Sequence, residues 1–150
     1  MSASKLFDKI NADMIAAMKA RNEADTSALR MLKSALKYKE VDLRRELKDE
    51  EVIEVLSKQT KQRKESIEGF EKGGRADLVA KEKAELALIE KYLPAALGEE
   101  ELAKLIVETI QATGAAGPKD MGKVMGALTP KIRGRADMGK VSGMVKAKLG

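Results

Sequence analysis

An all-α protein is the fold the sequence predicts, and three observations predict it. Ala, Leu, Lys, Glu and Met dominate; β-branched and aromatic residues are scattered rather than alternating; and apolar residues recur at spacings of three and four. From Ser4 to Arg21 the set Leu6/Phe7, Ile10, Met14 and Ala17/Met18 forms one face of a first helix. Asp25 or Thr26 is expected to cap a second, marked by Leu29, Leu32, Leu36, Leu43 and Leu47 with one turn skipped near Glu40. Asp49 opens a third, carrying Val52, Val55/Leu56, Ile67 and Phe70 and stopping at Gly73-Gly74, where a left-handed cap costs little. A fourth is expected from about Asp77 to Tyr92, closed by Leu93-Pro94 because the residue before proline avoids helical angles.

The next helix begins with Glu99-Glu100-Glu101, favourable to the helix dipole, and Leu102, Leu105/Ile106 and Ile110 make it amphipathic. Thr113 to Lys119 holds two glycines and a proline and reads as a loop. Two short helices follow, about Asp120 to Leu128 and Asp137 to Leu149, separated by Pro130 and Gly134. Composition shifts where the fourth helix ends. Up to Tyr92 there are 20 basic and 18 acidic residues, from Leu93 onward 9 and 6, and nine of the 12 glycines lie from Gly98 onward. We therefore expect a four-helix N-terminal subdomain over residues 1–94 and a smaller three-helix subdomain over 95–150 with a basic, glycine-rich surface.

Several function classes are excluded by what the chain lacks. Without His or Cys there is no Ser-His-Asp or Cys-His nucleophile, no imidazole base, no ordinary zinc site and no disulfide. No stretch matches the Gly-x-x-x-x-Gly-Lys-Ser/Thr loop, and no strand precedes the glycines as a dinucleotide fold requires. No catalytic residue, metal or cofactor is expected. The Met-Ser-Ala-Ser-Lys start lacks an apolar signal core, and the longest apolar run free of Gly and Pro is Met14 to Met18. A cytoplasmic protein with no membrane partner is the expectation.

Carboxylates are abundant, but most stand beside a cation at helical spacing, as in Glu40/Arg44, Glu54/Lys58, Glu68/Lys72 and Asp77/Lys81. Such pairs dress a solvated helix face. One constellation differs. Gln59 and Arg63 interrupt the apolar stripe of the third helix, and Glu82 and Glu85 lie on the stripe of the fourth with Leu78 and Ile89. Folding the two helices antiparallel about Gly73-Gly74 sets Arg63 on Glu85, Phe70 on Leu78 and Leu56 on Tyr92. A structural ion pair of Arg63 with Glu82 and Glu85 is expected, since an Arg-carboxylate pair leaves no group poised near neutrality for catalysis.

A heptapeptide echo is the most informative local feature. Asp120-Met-Gly-Lys-Val-Met-Gly126 returns 17 positions later as Asp137-Met-Gly-Lys-Val-Ser-Gly143. Each copy is expected to put an Asp cap, a Gly and a Lys on a first helical turn, where free N–H groups and the positive end of the dipole receive anions. Between the copies lies Lys131-Ile-Arg-Gly-Arg135, and from Gln111 to Gly150 eight basic residues face two acidic ones. The candidate phosphate contacts are Lys119, Gly122, Lys123, Gly126, Lys131, Arg133, Gly134, Arg135, Gly139 and Lys140. The alternative is that the glycines let two short helices pack closely and the lysines are merely solvated. None of the four aromatics, Phe7, Tyr38, Phe70 and Tyr92, falls in this lobe. A nucleic acid bound there is read through its backbone and shape rather than by base stacking.

Taken together, Arg30-Met-Leu-Lys-Ser-Ala35, Lys61-Gln-Arg-Lys-Glu-Ser-Ile67 with Phe70, Gly74-Arg-Ala-Asp-Leu78, Lys81-Glu-Lys-Ala-Glu-Leu86, Tyr92-Leu-Pro94 and Asp120 to Gly126 resemble the YqeY proteins over nearly the whole chain. In one departure, Met138 stands between Asp137 and Gly139, where that family often has Asp-Gly directly after Lys/Arg-Ala. YqeY proteins are similar to the tail of the B subunit of the glutamine-dependent aspartyl/glutamyl-tRNA amidotransferase, and related domains are appended to some glutaminyl-tRNA synthetases. The resemblance implies a larger N-terminal and a smaller three-helix C-terminal subdomain, with tRNA contacts over Asp120 to Gly126 and at Lys131, Arg133, Gly134 and Arg135. A noncatalytic tRNA-binding accessory module is the leading expectation. The others are an adaptor docking on an aminoacyl-tRNA synthetase or amidotransferase, and a component of a carbon-nitrogen ligase that uses glutamine as amide donor, the last by fold analogy.

Overall fold

A computed structural model describes residues 3–150. Among these residues the chain is all-helical, with seven α-helices and no strand: α1 Lys5–Lys19, α2 Glu23–Leu43, α3 Asp49–Lys72, α4 Ala76–Glu90, α5 Glu99–Thr113, α6 Met121–Ile132 and α7 Met138–Leu149. It divides into two compact units, Met1–Leu93 and Pro94–Gly150.

In the first unit the apolar stripe of α1, Phe7, Ile10, Met14 and Ala17, packs on Leu29, Leu32 and Leu36 of α2, with Val52 and Leu56 of α3, and Leu88 and Ile89 of α4, completing the core. Ile10, Leu36, Val52 and Leu56 are wholly buried, and truncating any of the leucines to Ala costs about 2–5 kcal/mol. Ser4 caps α1, its Oγ accepting from Phe7 N–H at 3.0 Å and donating to Asp49. The Asp49 carboxylate also accepts from Leu6 N–H at 3.1 Å, so the first residue of α3 fixes the start of α1. Tyr92 closes the unit: its hydroxyl donates to Asp13 at 2.6 Å, and its ring lies under the Lys9 ammonium at 5.7 Å. Burial and the Asp13 carboxylate together push that phenol well above the usual tyrosine range.

Several local expectations are corrected. The cap of α2 is Asn22, whose side chain accepts from Asp25 N–H at 3.1 Å, not Asp25 or Thr26. Leu47 does not continue α2. The chain leaves the helix through Arg44 in the left-handed region, φ 58°, and Leu47 enters the core from the connection, its N–H donating to Glu40 Oε2 at 3.1 Å. α4 stops at Glu90, two residues before Tyr92.

α3 and α4 form an antiparallel hairpin about Gly74, which takes φ 70°. Inside it, Arg63 Nη1 lies 3.2 Å from Glu82 Oε2 and 3.3 Å from Glu85 Oε2, all three side chains about 14% exposed. The pair bridges two helices through charge held largely out of water.

The second unit has its own core of Leu102 and Ile106 from α5, Val124, Leu128 and Ile132 from α6, and Val141 and Val145 from α7. The expected loop is shorter than predicted, because Pro118–Asp120 forms a single 3-10 turn running directly into α6. Pro130 does not separate the last two helices but sits inside the last turn of α6. There it removes only one intrahelical donor, and Thr129 secures the turn by donating its hydroxyl to Met125 O at 2.7 Å.

Candidate nucleic-acid interface

The two copies of the heptapeptide present the same helical face. Val124 and Leu128 of α6, like Val141 and Val145 of α7, are wholly buried, while Gly122, Lys123 and Gly126, like Gly139, Lys140 and Gly143, are exposed. The echo therefore records one amphipathic pattern used twice, apolar inward and Gly-Lys-Gly outward. Lys119, on the preceding turn, is exposed as well, and so is Lys131, eight residues beyond Lys123 and thus about 12 Å along the same side of the helix.

Close packing does not explain these glycines. A Cβ added at Gly122, Gly126 or Gly143 meets nothing within 4 Å, and one at Gly139 meets only Asp137 Oδ1 at 3.5 Å. Exposed helical glycine costs about 1 kcal/mol relative to Ala. The outward face thus keeps bare backbone where neither turn geometry nor helix contact calls for it.

The helix starts differ from expectation, and from each other. Asp137 caps α7, its Oδ1 accepting from Gly139 N–H at 3.1 Å. Asp120 caps nothing at α6; its carboxylate accepts instead from Ala116 N–H at 2.9 Å, behind the helix. Because the 3-10 turn precedes α6, the N–H groups of Asp120 and Met121 already donate to Gly117 O and Pro118 O. Two of the N–H groups expected to be free at the start of α6 are therefore already taken, and the exposed flank of the helix lies open.

The other candidate cations are held in different ways. Arg135 Nε donates to Ala95 O at 2.9 Å, and its carbonyl accepts from Leu97 N–H at 2.9 Å, so this residue ties the α6–α7 connection to the entry of the unit. Arg133 is half-buried at the end of α6, and Gly134 beside it takes φ 75°. Lys140 Nζ lies 2.7 Å from Glu99 Oε1, and this hydrogen bond and charge hold the Glu99 carboxyl below its ordinary range. Lys119 on the 3-10 turn and Lys123 and Lys131 on α6 are exposed, whereas Arg133 and Arg135 are half-buried and Lys140 meets Glu99. Sequence reasoning passed over Lys146 and Lys148, also exposed on the last turns of α7. The spacing of three from Gly143 to Lys146 was the available signal.

Among the described residues no group of Asp and Glu side chains is placed to hold a metal ion, and no helix is long and apolar enough to cross a membrane.

A model of the YqeY-like protein family matches residues 7–149. Among curated proteins the chain is 41% identical over 92 residues to the altered inheritance of mitochondria protein 41, mitochondrial, of Eremothecium gossypii, covering 59% of this chain and 50% of the relative. It is 40% identical over 85 residues to the protein of that name from Saccharomyces cerevisiae strain YJM789, covering 56% and 46%. With the one from Pyrenophora tritici-repentis it shares 28% identity over 134 residues, covering 87% and 73%. The chain thus spans about half the length of the first two relatives. Their names also correct the cytoplasmic expectation, since each calls its protein mitochondrial. That expectation tested only for an apolar signal core and a spanning helix, and delivery to a mitochondrion requires neither.

Proposed function

Because this chain belongs to the YqeY-like family, we propose that it is a noncatalytic accessory module that holds tRNA through the outward faces of α6 and α7. The observation that carries this reading is the exposed Gly-Lys-Gly pattern, repeated on two helices, with open space over three of its glycines. A sugar-phosphate chain is thick and regular; it approaches bare helical backbone more closely than a face bearing Cβ atoms, and lysines beside the gap neutralise its phosphates. In this reading the four helices of the first unit and the three of the second are separate subdomains, and the smaller one makes the contact. Basic residues outnumber acidic ones eight to two from Gln111 to Gly150.

A second reading is favoured by one feature of the first unit. Tyr38 and Val41 on α2 are 78% and 76% exposed, an unpartnered apolar pair suited to an adaptor that docks on an aminoacyl-tRNA synthetase or amidotransferase. Participation in glutamine-dependent amide transfer rests on family likeness alone and has no residue set behind it.

Affinity purification of the chain from its native cell, with and without ribonuclease, tests the two readings. The tRNA-holding module predicts that tRNA is recovered with the chain and that co-purifying proteins fall away after ribonuclease. Proteins retained after ribonuclease, with no tRNA in the untreated sample, would favour the adaptor.

A further inference from the structure

We propose that Met31 is a site of reversible oxidation by peroxide, and that the Arg63 guanidinium receives the sulfoxide oxygen. Met18 and Met31 are 46% and 47% exposed, whereas Met14 is buried and Met121, Met125, Met138 and Met144 are half-buried. In each of these two exposed methionines the sulfur lies beside an arginine. Arg30 Nη2 is 4.0 Å from Met18 Sδ, and Arg63 Nη2 is 3.9 Å from Met31 Sδ.

The two arginines differ in what else they hold. Arg30 is exposed. Arg63 is 14% exposed at its side chain; Nη1 serves Glu82 and Glu85, while Nε finds no acceptor among the described residues. A guanidinium carries five donors in a fixed fork, and a thioether is a weak acceptor. Arg63 is therefore short of acceptors on the side that faces Met31.

Adding one oxygen to that sulfur meets the shortage. With an S–O bond of about 1.5 Å, an O···N hydrogen bond of about 2.8 Å and an angle near 130° at oxygen, the sulfur stands about 3.9 Å from the nitrogen. That is the separation Met31 and Arg63 already have. The three rotatable bonds of Met let the oxygen turn toward Nη2 without moving the backbone.

In the oxidation step a sulfur lone pair attacks one oxygen of hydrogen peroxide. The S–O bond forms as the O–O bond breaks, sulfur is oxidised by two electrons, and the departing oxygen leaves as water after taking the proton of the transferred one. The adjacent guanidinium stabilises charge developing on the departing oxygen. Methionine sulfoxide reductase chemistry restores the thioether. The sulfoxide links α2 to α3 by a charge-assisted hydrogen bond where a weak sulfur contact stood, and Glu82 and Glu85 keep Nη1.

The test uses the full chain in a Met18→Leu background, treated with hydrogen peroxide and followed by peptide mass spectrometry, arginine side-chain NMR and thermal unfolding. Met31 is expected to oxidise several-fold faster than Met121, Met125, Met138 and Met144. As it converts, the Arg63 signals shift and the unfolding midpoint rises by about 1–3 °C. Met31→Gln, which sets an amide oxygen at similar reach, reproduces both changes without peroxide; Met31→Leu folds and shows neither. The proposal is overturned if Met31 oxidises no faster than those four, if Arg63 signals stay in place, or if its oxidation lowers the midpoint.

Discussion

Lys123 and Lys140 occupy the same place in two copies of one heptapeptide, yet only Lys140 meets a carboxylate, with its Nζ 2.7 Å from Glu99 Oε1 while Lys123 stands exposed on α6. A phosphate reaching Lys140 must displace Glu99, whereas one reaching Lys123 displaces water. Lys123→Ala is therefore expected to weaken tRNA binding more than Lys140→Ala and to reduce the salt slope by about one. Glu99→Gln is expected to tighten binding by freeing Lys140. Titrations of labelled tRNA over a series of salt concentrations check both, and an equal loss from the two lysines counts against the inequivalence.

The outward glycines separate stability from function. Because a Cβ at Gly122, Gly126 or Gly143 meets open space, each Gly→Ala replacement is expected to stabilise the chain by up to about 1 kcal/mol. The same replacements are expected to weaken tRNA binding, since they lift the nucleic acid off the backbone. Denaturant unfolding and binding measured on the same variants give the answer. Greater stability with unchanged binding means that no ligand uses the bare backbone.

Arg63 tests what the buried pair contributes. Arg63→Met leaves Glu82 and Glu85 facing each other in the hairpin without their cation, and is expected to cost about 3 kcal/mol. Replacing all three with apolar residues of similar volume is expected to cost less than that single change. Urea unfolding compares them, and an equal loss in the single and triple variants contradicts the account.

Stability should fall in acid through the α2–α3 connection. The Glu51 carboxyl is held down to about 2 by paired hydrogen bonds from Arg45, both 2.7 Å, and by Lys48 N–H. Asp49 is likewise lowered, by Ser4 and then by Leu6 N–H. Their folded-state values lie below the unfolded ones, so in the window between, the unfolded chain binds more protons and stability rises with pH. The contribution of Glu51 is present above its ordinary value of 4.5 and is lost as pH falls toward about 2. Unfolding midpoints measured across that window should drop with acid, and Glu51→Gln should flatten the drop.

Periodicity made the helices readable because burial follows it: Ile10, Met14, Leu32, Leu36 and Leu56 fall where a repeat of three and four puts them. The antiparallel register carried Arg63 to Glu85 for the same reason. Side chains whose partner lies far along the chain were beyond that reasoning. Asp49 opens α3 but bonds Ser4 and Leu6, and Glu99 and Lys140 are 41 residues apart. At the candidate site, the echo drew attention to the glycines and lysines but assigned them to helix starts rather than to an outward flank. It did not disclose that the 3-10 turn before α6 redirects Asp120 to Ala116, because a heptapeptide shared at six of its seven positions does not encode what precedes it.

The salt dependence of tRNA binding tests the central claim most directly. It compares the full chain with a Lys119→Ala, Lys123→Ala, Lys131→Ala variant, three exposed residues whose loss leaves both cores intact. If about four to six phosphates are contacted, the logarithm of the parent's affinity falls with the logarithm of salt at a slope of roughly −3 to −5. The triple variant is predicted to have a slope shallower by about 2–3 and weaker binding to every tRNA alike, with unchanged helicity. A variant that binds as tightly as the parent, with the same slope, would contradict the account.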